Sequence, residues 1–440
     1  MFHCLVTIAH LLTGFASAGP YEDGVAALRA GQAAQAETLL ASATSADPTH
    51  ASAWWELGFA RYAQREWADA GAAWTRVAAL EPGRKDLGFW QNAARERARL
   101  ATLPLPAAPI SRDKAGPTVT FAAAGDTMMG SDLKKGAAGI PDGDGKDLFA
   151  PVAPILRSAD VAFVNLEGPL ADGLPSTKCR PDSTSCYAFR TPTRYVAALT
   201  NAGFDVAQLA NNHAWDLGVP GQEATMKALD AAGIVHAGRW GDVGRIERDG
   251  VIIGVVAAHF GECCLNINQV EEIQRAIGEV DAWADIVVFG FHGGAEGAGA
   301  RHVTGKPEVA FGEQRGDEKK LSRAAVDAGA DLVIGTGPHV LRAMEVYQGR
   351  LIAYSLGNFM GFRQFGTQGG FGGTTVIVEA ELAKSGELVS ARLHPIALDG
   401  ESIPRPDPAG LGLEHIRELT AADFPDTGVT VAPDGRLSWK

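Results

Sequence analysis

Five places along the chain put a carboxylate, an amide or an imidazole straight after a short apolar run. Asp126 follows Gly125 at the end of Val119–Ala124. Glu167 follows Val161–Leu166. Asn212 and His213 close a run that ends in Leu209 and Ala210. His292 follows Ile286–Phe291, and His339 follows Leu332–Ile334 through a Gly-Thr-Gly-Pro turn. Each has an ordinary explanation when taken alone. Asp126 can cap a turn, paired asparagines often form turns, and a single histidine is more often structural than catalytic. Glu167 is harder to dismiss, because a carboxylate beside a buried strand costs desolvation unless it is paired or metal-bound. Together the set supplies two carboxylates, one amide oxygen and two or three imidazoles. That mixture of oxygen and nitrogen donors suits Mn, Fe or Zn better than Ca or Mg. One or two such divalent ions, a pair lying about 3.5–4 Å apart, would activate water and clamp a phosphoryl or acyl centre. Other hydrolytic and cofactor chemistries lack their signatures: there is no Gly-x-Ser-x-Gly elbow, and no Gly-x-Gly-x-x-Gly follows a first strand.

The elements that must position these residues alternate. Strands are expected near 118–125, 160–166, 204–210, 251–259, 286–291 and 331–335, and helices near 147–158, 192–202, 220–232, 269–283 and 316–329. Such alternation predicts an α/β domain, here 118–440, with ligands at the carboxyl ends of its strands. After His339 the texture becomes β: a hairpin over Arg342–Tyr347 and Leu351–Ser355, then Thr374–Leu382 and Leu388–Leu398. A second, largely antiparallel sheet is therefore expected. The glycine-rich stretch Gly361–Gly373 reads as a hairpin loop, since no Lys-Ser/Thr and helix start follow it.

The first hundred residues differ. Residues 1–18 contain no Asp, Glu, Lys or Arg, and Ala16-Ser17-Ala18 fits a small-x-small cleavage site, so a signal peptide and export to the periplasm or cell envelope are expected. Residues 21–100 have helical spacing and an internal repeat of 34 residues, which pairs Gly24 with Gly58, Ala36 with Ala70, Leu40 with Trp74, Ala43 with Val77 and Pro48 with Pro82. This is a tetratricopeptide-like pattern, best formed over Ala51–Pro82, and it offers a docking surface for an envelope protein or simply a small helical bundle. Residues 101–117 are proline-rich and read as a linker.

Composition sets the outer limits. A formal net charge of -13 argues against nucleic acid as a partner. No stretch is long and apolar enough for an integral membrane span. Cys179 and Cys186 flank a short loop that a disulfide can close. Cys263 and Cys264 are adjacent, and a vicinal bridge there would be strained. A thiol metal site and free buried thiols are the alternatives.

Six ordered motifs carry a resemblance. Gly125–Gly130, Asn165–Pro169, Leu209–His213, His292–Glu296, Gly337–Val340 and Tyr354–Phe359 resemble the CapA family of capsule or poly-gamma-glutamate biosynthesis proteins, whose domain is similar to calcineurin-like metallophosphoesterases. The resemblance covers roughly 118–400. It implies a four-layer sandwich, two mixed β-sheets flanked by helices, following the helical module. It also implies roles: Asp126, Glu167, Asn212, His292 and His339 as metal ligands, and His213 as the acid that protonates the leaving group. Met128 stands where the phosphoesterase Asp-x-His has its histidine, and Thr336 where CapA-like proteins often carry another. Glu296 is a candidate for a missing carboxylate, and Arg190 for contact with an anionic substrate. Two functions follow as expectations. One is a metal-dependent hydrolase of a phosphate ester or an anionic polymer bond. The other is a non-catalytic assembly or export scaffold that binds polymer and partner proteins.

Overall fold

The computed structural model of the protein describes residues 19–110, 112, 116–133, 139–179, 183, 186–364 and 370–440. The expected export segment, 1–18, lies outside them. The chain divides into two units, 1–104 and 105–440. No helix among the described residues is long and apolar enough to cross a membrane.

The first unit is helical: α1 (Pro20–Arg29), α2 (Ala33–Ala46), α3 (Ala51–Ala63), α4 (Trp67–Leu80) and α5 (Leu87–Thr102). Consecutive helices pack against one another, and small residues let them approach. A Cβ on Gly24 would lie 2.7 Å from Leu40 Cγ, and one on Gly58 would lie 2.2 Å from Trp74 Nε1. Both partners of this contact recur 34 positions on, so the repeat read from the sequence is also a repeat of packing. Trp74 is fully buried, and its indole N–H donates to Trp55 O at 3.2 Å. The Arg97 guanidinium lies over the Tyr62 and Trp67 rings, which shelters its stem and keeps its charge against π-faces.

The second unit runs β1 (Thr118–Met128), α6 (Ala153–Leu156), β2 (Val161–Leu166), α7 (Val196–Ala202), β3 (Val206–Gln208), α8 (Gly218–Ala232), β4 (Val235–Ala237), β5 (Gly244–Arg248), β6 (Val251–His259), β7 (Leu265–Asn266), α9 (Val270–Asp281) and β8 (Ile286–His292). It continues through β9 (Glu308–Ala310), β10 (Glu313–Gly316), α10 (Glu318–Asp327), β11 (Leu332–Thr336), β12 (Met344–Tyr347), β13 (Arg350–Ala353), β14 (Asn358–Gly361), β15 (Thr374–Ala383), β16 (Leu388–Leu398), β17 (Pro404–Pro406), α11 (Leu411–Asp423), β18 (Thr430–Val431) and β19 (Leu437–Ser438).

These strands form two large mixed sheets. The first has the order β17-β16-β15-β1-β2-β3-β4, with β14 beside the end of β1. The second has the order β12-β13-β11-β8-β6-β5, with β7 beside β6. Strands β1 to β4 are mutually parallel, as are β6, β8, β11 and β13, while β5, β12 and β15 to β17 pair antiparallel. The sheets meet face to face. A Cβ on Gly290 of β8 would lie 2.0 Å from Gln208 Oε1 of β3 and 3.0 Å from Phe163 Cζ of β2. The alternate residues of β2, Ala162, Val164 and Leu166, pack outward with Leu156, Leu199 and Leu229 of α6, α7 and α8. On the far side, Val280 of α9 packs against Gly254 of β6. Four layers result, as the resemblance implies, and the central strands are apolar on both faces because both faces are covered.

Three local expectations change. The helix expected over 147–158 is confined to Ala153–Leu156 and preceded by turns, because Pro151 and Pro154 lack amide protons for helical bonding. The antiparallel strands do not form a sheet of their own: β15 and β16 extend the first sheet, and β12 and β13 extend the second. Part of the proline-rich segment lies against the second unit, where Ile110 N–H donates to Asp281 Oδ2 at 2.8 Å and Arg112 pairs with the same carboxylate.

Candidate metal centre

The carboxyl ends of the central strands of both sheets converge. In the first sheet, Asp126 is in register with Asn165. The Asn165 amide donates to Asp126 Oδ1 at 2.7 Å, and Asn211 donates to Asn165 Oδ1 at 3.1 Å. Gly337 N–H, from the turn after β11, donates to Asp126 Oδ2 at 3.3 Å. The carboxylate is thus fixed from both sheets.

In the second sheet His292 is in register with Thr336. The Thr336 hydroxyl donates to Phe291 O at 3.0 Å, and its oxygen lies 3.2 Å from His292 Nδ1. The Asn165 amide nitrogen lies at the same 3.2 Å from His292 Nδ1, so residues of both sheets hold that ring nitrogen. His292 Nε2 is buried without a hydrogen-bond partner among the described residues and lies 3.9 Å from Glu167 Oε1. His339 adopts a left-handed φ of 57°, unusual for a residue with a side chain. Its Nδ1 lies 2.9 Å from Asn358 Oδ1 and 3.1 Å from Asp126 Oδ2, and its Nε2 lies 3.6 Å from Glu167 Oε1. Asn358 also donates to His339 O at 3.1 Å, locking the backbone of that turn.

Glu167 sits at the middle of this arrangement, fully buried, and among the described residues neither of its oxygens has a hydrogen-bond partner. Burial, with the charges of Asp126 and Glu296, raises its carboxyl well above the usual range, against the pull of His339. Burial works the same way on Asp126, yet the His339 charge and hydrogen bonds from both imidazoles hold that carboxyl well below its ordinary value. Burial lowers His292. Against its own burial, His339 is pushed up to about 10 by Glu167 and Asp126.

Asp126, Glu167 and His339 each bring one ligand atom within 4.8 Å of the others. The donor set fits a divalent cation. Glu167 Oε1 and Oε2, His292 Nε2 and Asn212 Oδ1 are buried polar atoms without partners among the described residues, and a cation would satisfy such atoms. Met128 points its sulfur at the Gly130 N–H, 3.0 Å away.

His213 belongs to a neighbouring cluster. Its Nδ1 bonds to Asp216 Oδ2 at 2.7 Å, and its ring lies 4.2 Å from that of Phe189. Burial lowers it to about 4 against the raising effect of Asp216, so the neutral ring keeps its proton on Nδ1 at neutral pH. Lys178 joins this cluster, donating to Asp216 Oδ1 at 2.5 Å and to Asn212 O at 2.9 Å. It immediately precedes the Cys179–Cys186 disulfide, while Cys263 and Cys264 are buried thiols. Arg190 is paired with Asp132 at 2.6 Å and donates to Leu174 O. Glu296 is paired with Arg315 at 2.9 Å, and its charge is felt at Glu167 and His339.

Sequence reasoning passed over Asn165, Asn211 and Asn358, which orient the candidate ligands, and Lys178 and Asp216, which surround His213. Asp216 had a signal: an acid three residues after a histidine falls on the same side of a helical turn. Lys178 had none, because a loop brings it in from far along the chain.

The family model described as "Bacterial capsule synthesis protein PGA_cap" matches residues 120–362. "Capsule biosynthesis protein CapA" of Bacillus anthracis is 30% identical over 263 residues, covering 55% of this chain and 59% of that protein. "PGA biosynthesis protein CapA" of Bacillus subtilis (strain 168) is 31% identical over 255 residues, covering 54% and 61%. The chain therefore matches only about three fifths of the length of these relatives. Among solved structures, a purple acid phosphatase from yellow lupin seeds aligns with a TM-score of 0.33 at 13% identity, over 69% of this chain and 54% of that one. The matched family segment contains every strand end that meets at Glu167, and the chain belongs to the bacterial capsule synthesis protein family.

Proposed function

We propose that the protein is a metal-dependent hydrolase of the cell envelope, active in capsule or poly-gamma-glutamate biosynthesis on a phosphate ester or an anionic polymer bond. The observation that carries this reading is the buried Glu167 carboxylate without hydrogen-bond partners among the described residues, facing two imidazoles. A structural carboxylate in such a place would be paired; a ligand is left open for its ion.

Asp126, Glu167, Asn212, His292 and His339 would hold one or two ions, of Mn, Fe or Zn. Such an ion supplies Lewis acidity and water activation near neutral pH. The chain's own groups do the rest. Asn165 and Gly337 N–H fix Asp126, Thr336 and Asn165 hold the His292 ring, and Asn358 fixes His339. His213 is neutral in the free protein, and an anionic substrate raises its proton affinity, so that it takes a proton on Nε2 and delivers it to the leaving group. Asp216 balances the imidazolium so formed. Lys178 adds positive charge next to His213, where an anionic substrate is drawn. Burial of the whole set strengthens each of these interactions.

The helical unit, read as tetratricopeptide-like, would recruit an envelope partner, and the leader 1–18 would export the chain. Metal content of protein never exposed to chelator, together with hydrolysis of a generic phosphate ester by the natural chain, Asp126→Ala and His213→Ala, tests the catalytic reading. Metal-free protein whose activity neither substitution changes would leave only the assembly role.

A further inference from the structure

A second cluster lies one strand away from the candidate metal centre, its His259 in register with His292. His259 ends β6, and the loop Phe260–Cys264 then folds back so that β7 pairs with the end of β6. Inside this loop the His259 ring is held from both sides. Gly261 N–H donates to His259 Nδ1 at 2.9 Å, which makes Nδ1 the acceptor and assigns the ring proton to Nε2. His259 Nε2 lies 2.9 Å from Cys263 Sγ, a short contact that suits a charge-assisted bond. The ring has room only because residue 261 is glycine: a Cβ there would lie 2.3 Å from His259 Cε1. Cys264 remains a thiol whose one hydrogen has two acceptors in reach, Leu265 O at 3.3 Å and the Cys263 sulfur.

The three ligand atoms of His259, Cys263 and Cys264 are close enough to hold a thiophilic metal. The tautomer argues otherwise. A metal at Nε2 needs the proton on Nδ1, where it would oppose the Gly261 N–H. The arrangement is instead that of an imidazole donating to a thiolate. We propose that Cys263 is a nucleophilic thiolate paired with His259, a modification site for small hydroperoxides, with Cys264 as the resolving thiol. The direction of the sulfur acidities agrees: hydrogen bonding from Cys264, then His259, hold the Cys263 thiol well below its usual value despite burial, whereas burial and Cys263 raise Cys264. Cys263 is 8% exposed and Cys264 1%, so the attacking sulfur is the one a small oxidant reaches.

The chemistry balances in two steps. The Cys263 thiolate attacks one peroxide oxygen, the O–O bond breaks, a sulfenic acid forms, and the departing alkoxide or hydroxide takes a proton from solvent. The Cys264 sulfur then attacks the sulfenic sulfur, its proton leaves with the hydroxyl as water, and a vicinal disulfide forms. The peroxide is reduced by two electrons and the sulfur pair is oxidised by two.

The full chain, its Cys264→Ser and its His259→Gln variants are compared by peptide mass mapping. Iodoacetamide is used at pH 6, where an ordinary thiol with pKa about 8.5 is well under ~1% ionised. Cys263 should be labelled at least ~10-fold faster in the natural chain than in His259→Gln. Hydrogen peroxide should remove two hydrogens from the Cys263–Cys264 peptide of the natural chain, and should leave a dimedone-reactive sulfenic acid on Cys263 of Cys264→Ser. Equal labelling with and without His259, absence of both oxidised products, or a stoichiometric metal on these sulfurs would overturn the proposal. If His259→Gln does not fold, the competition inside the natural chain decides: Cys263 labelled before Cys264 supports it, and the reverse order or equal rates sink it.

Discussion

Glu167 Oε1 and His292 Nε2 face each other across the two sheets at 3.9 Å, both buried, and neither has a hydrogen-bond partner among the described residues. A buried carboxyl and a buried imidazole nitrogen, both left unpartnered side by side, make a place that a cation would satisfy. Asp126 and His339 complete the surround, at 3.1 Å from each other.

The first prediction concerns Glu167→Gln. Without metal, replacing a buried carboxylate that lacks hydrogen bonds by a neutral amide removes a desolvation penalty, so the chelator-treated variant should be at least as stable as the chelator-treated natural chain, by up to ~1–3 kcal/mol. With saturating Mn, only the natural chain should gain stability, by roughly 2.7 kcal/mol at one hundred times the dissociation constant. Thermal melts in four combinations of variant and metal check this. A metal-induced rise as large in Glu167→Gln would remove Glu167 from the ligand set.

Metal affinity should rise with pH. His339 is held protonated up to about 10 by its carboxylate neighbours, and Glu167 is raised by burial. A ligand must be an unprotonated imidazole and an ionised carboxylate, so uptake near neutrality releases protons. Each released proton steepens binding by about tenfold per pH unit. Calorimetry in buffers of different ionisation heat counts the protons directly, and a count of zero would contradict the arrangement described.

His213 makes the free protein acid-sensitive. Its folded-state value, about 4, lies below the ordinary 6.5, mainly through burial. The unfolded chain therefore binds the extra proton first as pH falls. The stability tied to a neutral His213 is present above about pH 6.5 and is lost on the way down to 4, an upper limit of about 3 kcal/mol. Urea midpoints between pH 7 and 4.5 should fall more steeply for the natural chain than for His213→Gln. In catalysis, His213→Ala should slow hydrolysis of alkyl esters by ~10²–10⁴-fold and spare activated aryl esters, whose leaving groups need no proton.

Breaking the Cys179–Cys186 bridge by Cys179→Ser with Cys186→Ser should cost about 2 kcal/mol for so short a loop. The same change frees the segment that carries Lys178 onto Asp216. An increase in KM for an anionic ester larger than the decrease in kcat would place Lys178 in substrate attraction.

Gly58→Ala isolates the helical unit. Its new Cβ would meet the Trp74 indole at 2.2 Å, so the helix pair must open, at a cost of ~1–3 kcal/mol or more. Metal content should not change.

The strands and the polar residues that gather at their ends were legible in sequence because both leave local marks. A strand covered on both faces is a continuous apolar run, as in β2 and β8, and its last residue is conspicuous when it is Glu167 or His292. Short elements left no such mark: β4, β9, β10 and β17 have three or four residues each, too few for a period. Helix α11 is ordinary in pattern yet unreadable at the end of a long β region. The partners of the candidate ligands were hidden for a different reason. Asn165, Asn211, Asn358 and Lys178 gain their meaning from residues 19 to 127 positions away, which no local pattern encodes.

The candidate ligands are shared between the two sheets: Asp126, Glu167 and Asn212 hang from the first, His292 and His339 from the second. Neither sheet alone holds a sufficient set. A cation bound by them would therefore rivet the sandwich at one end, and its departure would let that end breathe while the opposite end stays shut. Amide hydrogen exchange should register this as a gradient along the strands, faster at the carboxyl ends of β1, β2 and β8 after chelation and unchanged at their starts.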